Sequence, residues 1–223
     1  MSILGALIVP HPPLIIPAVG RGREREVQAT IHAYRAAVKQ AAAWEPEVLI
    51  ITSPHQIMYA DYFHISPGRS AAGDLSAFGA AQAKLRVEYD APLREEVIRC
   101  AEAAGLRAGT LGERDPSLDH GTFLPLYFLR EAGVDCPILR IGLSGFSPLD
   151  HYRLGQCIAR AVESLGRRAV FVASGDLSHK LREDGPYGFA PEGPEFDRQV
   201  TEAMAAGDFR RLLTMDLGLC ERA

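Results

Sequence analysis

A chain of 223 residues with 47% hydrophobic and 23% charged side chains is long and apolar enough to bury a substantial core, and no run reaches the roughly 20 apolar residues that span a bilayer. Its net charge of -4, without any cluster of Lys and Arg, offers no footprint for nucleic acid. Four cysteines (Cys100, Cys136, Cys157, Cys220) have no CxxC spacing and are too sparse for a disulfide framework, so a cytoplasmic setting is expected.

The apolar run Ile3–Val9 lacks a basic flank and is broken by His11, Pro12 and Pro13, so it reads as a buried strand and not a signal peptide. Glu26–Ala43 reads as a helix, with Val27, Ile31, Tyr34 and Val38 on one face. Val48–Thr52 is a second buried strand, and Tyr62–Ser66 and Lys84–Tyr89 are weaker strands separated by a Gly/Ser/Ala-rich loop. Asp90 caps a helix that Gly105 stops. Pro137–Gly142 is a strand, and Ser147-Pro148 opens a helix with Leu154, Ile158, Ala161 and Leu165 on one face. Ala169–Ala173 is a further strand. Gly185–Pro194 is a loop, read equally as a lid or as an inert surface connection, and helices follow at Glu195–Ala206 and Asp208–Met215. Short apolar strands alternating with helices predict an α/β fold in three α/β/α layers around a mostly parallel sheet, as one domain over residues 1–223.

Seven histidines carry most of the functional signal. His11 follows the first strand, His55 the second, and His179 the strand Ala169–Ala173. Open α/β sheets bind ligands at the carboxyl ends of their strands, so these three can meet in space. His120 falls where a loop enters a helix, on the same rim. Imidazole is a strong ligand for iron, zinc and copper, and it titrates near neutrality. Pro10, Pro12, Pro13 and Pro54 restrict the backbone beside two of the four, while Asp119 and Asp176 accompany the others as partners for a ring nitrogen or as ligands. His32 reads as solvated and His151 as structural; His64, on a strand between Phe63 and Ile65, is open to either reading. Tyr59, Tyr62, Phe63, Phe123 and Tyr187 are aromatic residues for a pocket or for the core.

With VPHPP, SPH, DHGTFLPLYF and SGDLSHK in this order, the chain resembles the class III extradiol ring-cleavage dioxygenases, the family of the protocatechuate 4,5-dioxygenase catalytic subunit. The segments SPHQIMYADYFHISPG, LGERDPSLDHGTFLPLYF, RIGLSG, SGDLSHKLREDGPYGFAPEGPEFD and EAMAAGDF resemble its AmmeMemoRadiSam system protein branch, which is related to Memo proteins. The resemblance implies Fe(2+) held by two histidines and a glutamate, the facial arrangement of non-haem iron(II) oxygenases. His11 and His55 match the metal-binding histidines, His179 matches the acid/base, and His120 matches a second catalytic histidine that contacts substrate or oxygen. The third ligand of this branch lies just after a stretch like LCERA. Because the sequence stops at Ala223, the expectation is a domain without that segment: Glu221 is the nearest carboxylate but does not align with the ligand, and Asp176 is another group that could complete the site.

The implied reaction takes a small aromatic diol and O2 as partners, and the branch name adds a protein of a radical-SAM system. Related catalytic subunits often form homo-oligomers or pair with a small partner, so the resemblance leaves either open. Three alternatives stand beside it: a non-catalytic Memo-like module that binds iron or copper or docks a partner, a Zn(2+) hydrolase, in which the metal activates water, and a purely structural reading with the histidines as loop residues.

Overall fold

A computed structural model describes residues 2–113 and 115–223; Arg114, inside the LGERDPSLDHGTFLPLYF segment, lies outside the described residues, as does Met1. In chain order the strands are β1 (Ile3–Val9), β2 (Val48–Ser53), β3 (Phe63–His64), β4 (Ser70–Leu75), β5 (Ala80–Glu88), β6 (Ala108–Gly109), β7 (Ile138–Gly142) and β8 (Ala169–Ser174). The helices are α1 (Pro17–Gly20), α2 (Gln28–Ala43), α3 (Ala91–Ala103), α4 (His120–Glu131), α5 (Pro148–Ser164), α6 (Glu192–Ala206), α7 (Phe209–Leu213) and α8 (Leu217–Arg222). The chain divides into two compact units, Met1–Gly175 and Asp176–Ala223.

The first unit is built on a four-stranded sheet in the order β1-β8-β2-β7, with every pairing parallel. Its layers follow from the period of two along a strand. Leu49 and Ile51 of β2 pack into one core with Ile31, Tyr34 and Val38 of α2 and Phe123, Leu124 and Phe128 of α4. Val48 and Ile50 point the other way, into a second core with Leu93 and Val97 of α3 and Leu154, Ile158 and Ala161 of α5. This is the expected α/β/α sandwich, with strands buried on both faces because helices cover both.

Several boundaries differ from the sequence reading. Arg23–Val27 is a 3-10 turn, so α2 starts at Gln28. The stretch read as a Gly/Ser/Ala loop contains β4, which pairs antiparallel with β5 as a hairpin; small residues hid its alternation. The strand expected at Tyr62–Ser66 shrinks to the two residues of β3. Asp90 does cap α3, accepting from Leu93 N at 2.9 Å.

The second unit begins with a turn-rich stretch closed by an antiparallel bridge between Leu181 and Phe189 and continues through α6, α7 and α8. Asp208 and Asp216 cap the last two helices by accepting from Arg211 N and Leu219 N. No helix among the described residues is long and apolar enough to cross a membrane.

Candidate metal centre

β1, β8 and β2 end in register at Val9, Ser174 and, one residue beyond the last β8 pairing, Ser53. His11 and His55 each follow their strand by two residues, on loops from strands that flank β8. His120 opens α4. These elements bring the three imidazoles together: one nitrogen from each lies within 4.8 Å of the other two. His11 is buried, His120 partly buried and His55 exposed. The rings of His55 and His120 lie 3.9 Å apart between centroids, and His11 meets both edge-on, at 4.9 and 5.4 Å.

Hydrogen bonds hold the His11 ring and the backbone that carries His55 and His120. Ser174 Oγ lies 2.9 Å from His11 Nδ1 and donates its proton to Gly121 O at 2.5 Å. The backbone N–H of His55 donates to Ser53 Oγ at 3.2 Å, and Ser53 Oγ donates in turn to Asp119 Oδ1 at 2.5 Å. Asp119 is also the N-cap of α4, accepting from Thr122 N at 2.9 Å and Thr122 Oγ1 at 2.8 Å, and Arg140 Nη2 of β7 donates to its other oxygen at 2.9 Å. Burial would push the Asp119 carboxyl up, but the hydrogen bond from Ser53, the Arg140 charge and Thr122 together hold it below the usual carboxylate range. Asp119 therefore fixes the His55 loop and the His120 helix at once. Gly121 lets them approach: a Cβ there would come within 3.1 Å of His55 Cδ2 and closer still to Ser53 Oγ.

The donor set fits a divalent transition metal. The Nε2 atoms of His11 and His55 stand 3.0 Å apart, close to the ~3 Å separating two nitrogens that bond one metal at roughly 2.1 Å and a right angle. Imidazole suits iron, zinc and copper alike, so the geometry does not choose among them. Two cavities flank the cluster. One, of about 880 Å³, lies between the β4–β5 hairpin and the start of α4 and is lined by Phe78, Asp119 and His120. The other, of about 520 Å³, is lined by His55, Glu113, Asp119 and Arg140.

The other four histidines are not members of this group. His179 lies in the second unit, half-exposed, with Nε2 3.3 Å from Asp176 Oδ2 and its ring 4.8 Å from that of Tyr187. Glu221 is an exposed residue of α8 in the same unit. His64 is fully buried, with Nδ1 3.0 Å from Leu111 O and Nε2 3.5 Å from Glu113 Oε1. His151 binds within its own helix start, Nδ1 3.0 Å from Ser147 O, and packs edge-on against Phe63. His32 is exposed on α2. Phe63 and Phe123 are core residues with no exposed surface. Sequence reasoning passed over Ser53, Ser174, Arg140 and Phe78. The position of Ser53 and Ser174 as last residues of strands that point at histidine loops was a usable signal, whereas Phe78 lay in a stretch with no visible pattern.

The family described as "Catalytic LigB subunit of aromatic ring-opening dioxygenase" matches residues 5–223. Protein CA_C1420 of Clostridium acetobutylicum is 33% identical over 97% of this chain and 48% of its own length. A 2,3-dihydroxyphenylpropionate/2,3-dihydroxicinnamic acid 1,2-dioxygenase of Escherichia coli is 28% identical over 64% of this chain and 46% of its own. The chain thus spans about half the length of these curated relatives. With the family match covering nearly every residue, the chain belongs to the family of catalytic LigB subunits of aromatic ring-opening dioxygenases.

Proposed function

We propose that the protein is a non-haem Fe(2+) extradiol dioxygenase that opens a catechol-type ring beside its two hydroxyls, with His11 and His55 as metal ligands. The observation that carries this reading is the 3.0 Å approach of the two Nε2 atoms in a chain of the ring-opening family. Bound there, ferrous iron supplies the electron exchange between diol and dioxygen that side chains cannot provide.

His120 is the member of the cluster that lines the 880 Å³ groove, so it is the histidine that meets the substrate and hydrogen-bonds an oxygen of the diol. Phe78, edge-on to His120 at 5.2 Å, gives the ring an apolar wall on the same side. His179 is the acid/base: its imidazole takes a proton from a diol hydroxyl and later returns it, and Asp176, 3.3 Å from its Nε2, orients the ring. Asp176 or Glu221 is the carboxylate proposed to complete the ligand set. The four cysteines are free thiols, which supports a cytoplasmic setting.

The test is oxygen uptake by anaerobically iron-loaded protein offered a panel of catechols. Uptake matched by ring-opened product is expected, and His179→Ala should abolish it while keeping the metal. Loss of metal from that variant contradicts the division between ligand and acid/base.

A second reading draws on the donor set itself. Three imidazoles also make a zinc site, which lowers the pKa of bound water to about 7 and suits a hydrolase. Zinc in protein purified without added metal, with no oxygen uptake after iron loading, favours it. Metal retained with neither activity favours a Memo-like metal-binding module that docks a radical-SAM-system protein.

A further inference from the structure

We infer that Pro125, inside α4, is a positioning residue for the metal centre, acting on His11 through Gly121 and Ser174. The inference rests on the proposal that His11 is a metal ligand and is independent of which reaction the metal serves.

A proline in a helix interior removes one backbone donor and pushes aside the carbonyl four residues earlier. For Pro125 that carbonyl belongs to Gly121. Deprived of its usual helix partner, Gly121 O accepts instead from Ser174 Oγ at 2.5 Å. A serine hydroxyl has one proton to donate. Ser174 gives it to Gly121 O, a group that can only accept, so Ser174 turns a lone pair toward His11 Nδ1, 2.9 Å away. The proton of neutral His11 therefore sits on Nδ1, and Nε2 is left as the lone-pair nitrogen. Nε2 is the atom 3.0 Å from His55 Nε2, at the candidate metal position. Gly121, Ser174 and His11 are all buried, which strengthens each of these bonds relative to water. The proline thus selects the tautomer in which His11 can bind metal without first losing or moving a proton.

The relay makes an unusual demand. Pro125→Ala gives the helix back its donor and removes a poor helix former, so on local grounds it raises helix stability. The restored N–H draws Gly121 O back toward the helix axis and frees the Ser174 proton to point at His11. Two readouts on the full chain test this. In metal-free protein, nitrogen NMR of His11 should show the Nδ1–H form in the wild type and a shift toward Nε2–H in Pro125→Ala. Zinc affinity, measured by chelator competition, should fall about tenfold. Ser174→Ala should weaken zinc in the same direction, and adding Pro125→Ala to it should bring little further loss, because both act on one path. Pro125→Val, which also restores the N–H while filling the space of the ring, serves if the alanine variant does not fold. Wild-type tautomer and wild-type zinc affinity in the position-125 variants overturn the inference while leaving His11 as a ligand. Failure of the wild type to bind zinc, or zinc binding undiminished by His11→Ala, overturns the ligand assignment and the inference with it.

Discussion

Asp119 and Arg140 form a charge pair, Nη2 to Oδ2 at 2.9 Å, that ties the start of α4 to β7 beside the histidine cluster. Arg140 is almost wholly buried, and its next carboxylate, Glu113, stands 3.9 Å away. The pair puts a helix that carries one site histidine and a loop that carries another under a single constraint, because Asp119 also holds Ser53.

Removing one partner strands the other. Asp119→Asn keeps an amide that can cap α4 but leaves the Arg140 charge without its closest counterion. We expect a loss of about 3–5 kcal/mol in unfolding free energy and a 10–100-fold weaker metal affinity. Urea unfolding together with chelator competition reads both. A stability loss below about 1 kcal/mol would show that Asp119 is only a cap.

Gly121→Ala and Gly155→Ala make the same chemical change with opposite expected signs. A Cβ at Gly121 collides with Ser53 and approaches Asp119 and His55, so we expect destabilisation of about 1–3 kcal/mol and loss of metal binding. Gly155, inside α5, has open space where its Cβ would stand, and the substitution there should add about 0.5–1 kcal/mol. Thermal melts of the two variants compare them directly.

Phe78 stands at the tip of the β4–β5 hairpin, and that hairpin is pinned to the site: Leu118 N donates to Ala72 O at 3.0 Å, and Gly73 leaves room for Leu118 to pack closely. Phe78→Ala should weaken catechol binding to metal-loaded protein about tenfold without lowering metal content, and Phe78→Tyr should restore most of it. Equal catechol affinity in all three proteins would move the substrate to the other side of the cluster.

Glu96 of α3 accepts from Arg99 at 2.6 and 2.8 Å and from Ser164 of α5 at 2.8 Å. The Arg99 hydrogen bonds, and then that from Ser164, lower its carboxyl from 4.5 to about 2. A depressed folded-state value stabilises above the unfolded value and loses that contribution as the pH falls through the folded one. The stability gap between wild type and Glu96→Gln should therefore be constant near neutrality and close between pH 4.5 and about 2. A gap that widens on acidification would contradict the assignment.

The sheet and its flanking helices were legible because strands such as β2 begin with a short continuous apolar run, Val48–Ile51, as expected of a strand buried on both faces. His11 and His55 were legible as strand-end residues, since the topological rule needs only the strand ends to be right, whereas the third member of the group is His120 at a helix start and not His179. What the residues around them do was less so. Asp119 was read as a partner for a ring nitrogen or as a ligand, yet its carboxylate serves the backbone, Ser53, Thr122 and Arg140. That role depends on β7 arriving beside α4, a contact between residues 21 positions apart that no local pattern encodes. The β4–β5 hairpin was missed because alanine and glycine carry little strand signal, and Phe78 was missed with it.

Whether His11 and His55 hold one metal ion together is read most directly by anaerobic ferrous titration of the wild type, His11→Ala and His55→Ala, with X-ray absorption at the iron edge. One ion per wild-type chain, imidazole nitrogens at roughly 2.1 Å, and loss of that ion in both variants are the expected results. Iron bound as tightly after both substitutions, or an ion without imidazole in its coordination shell, would contradict the site.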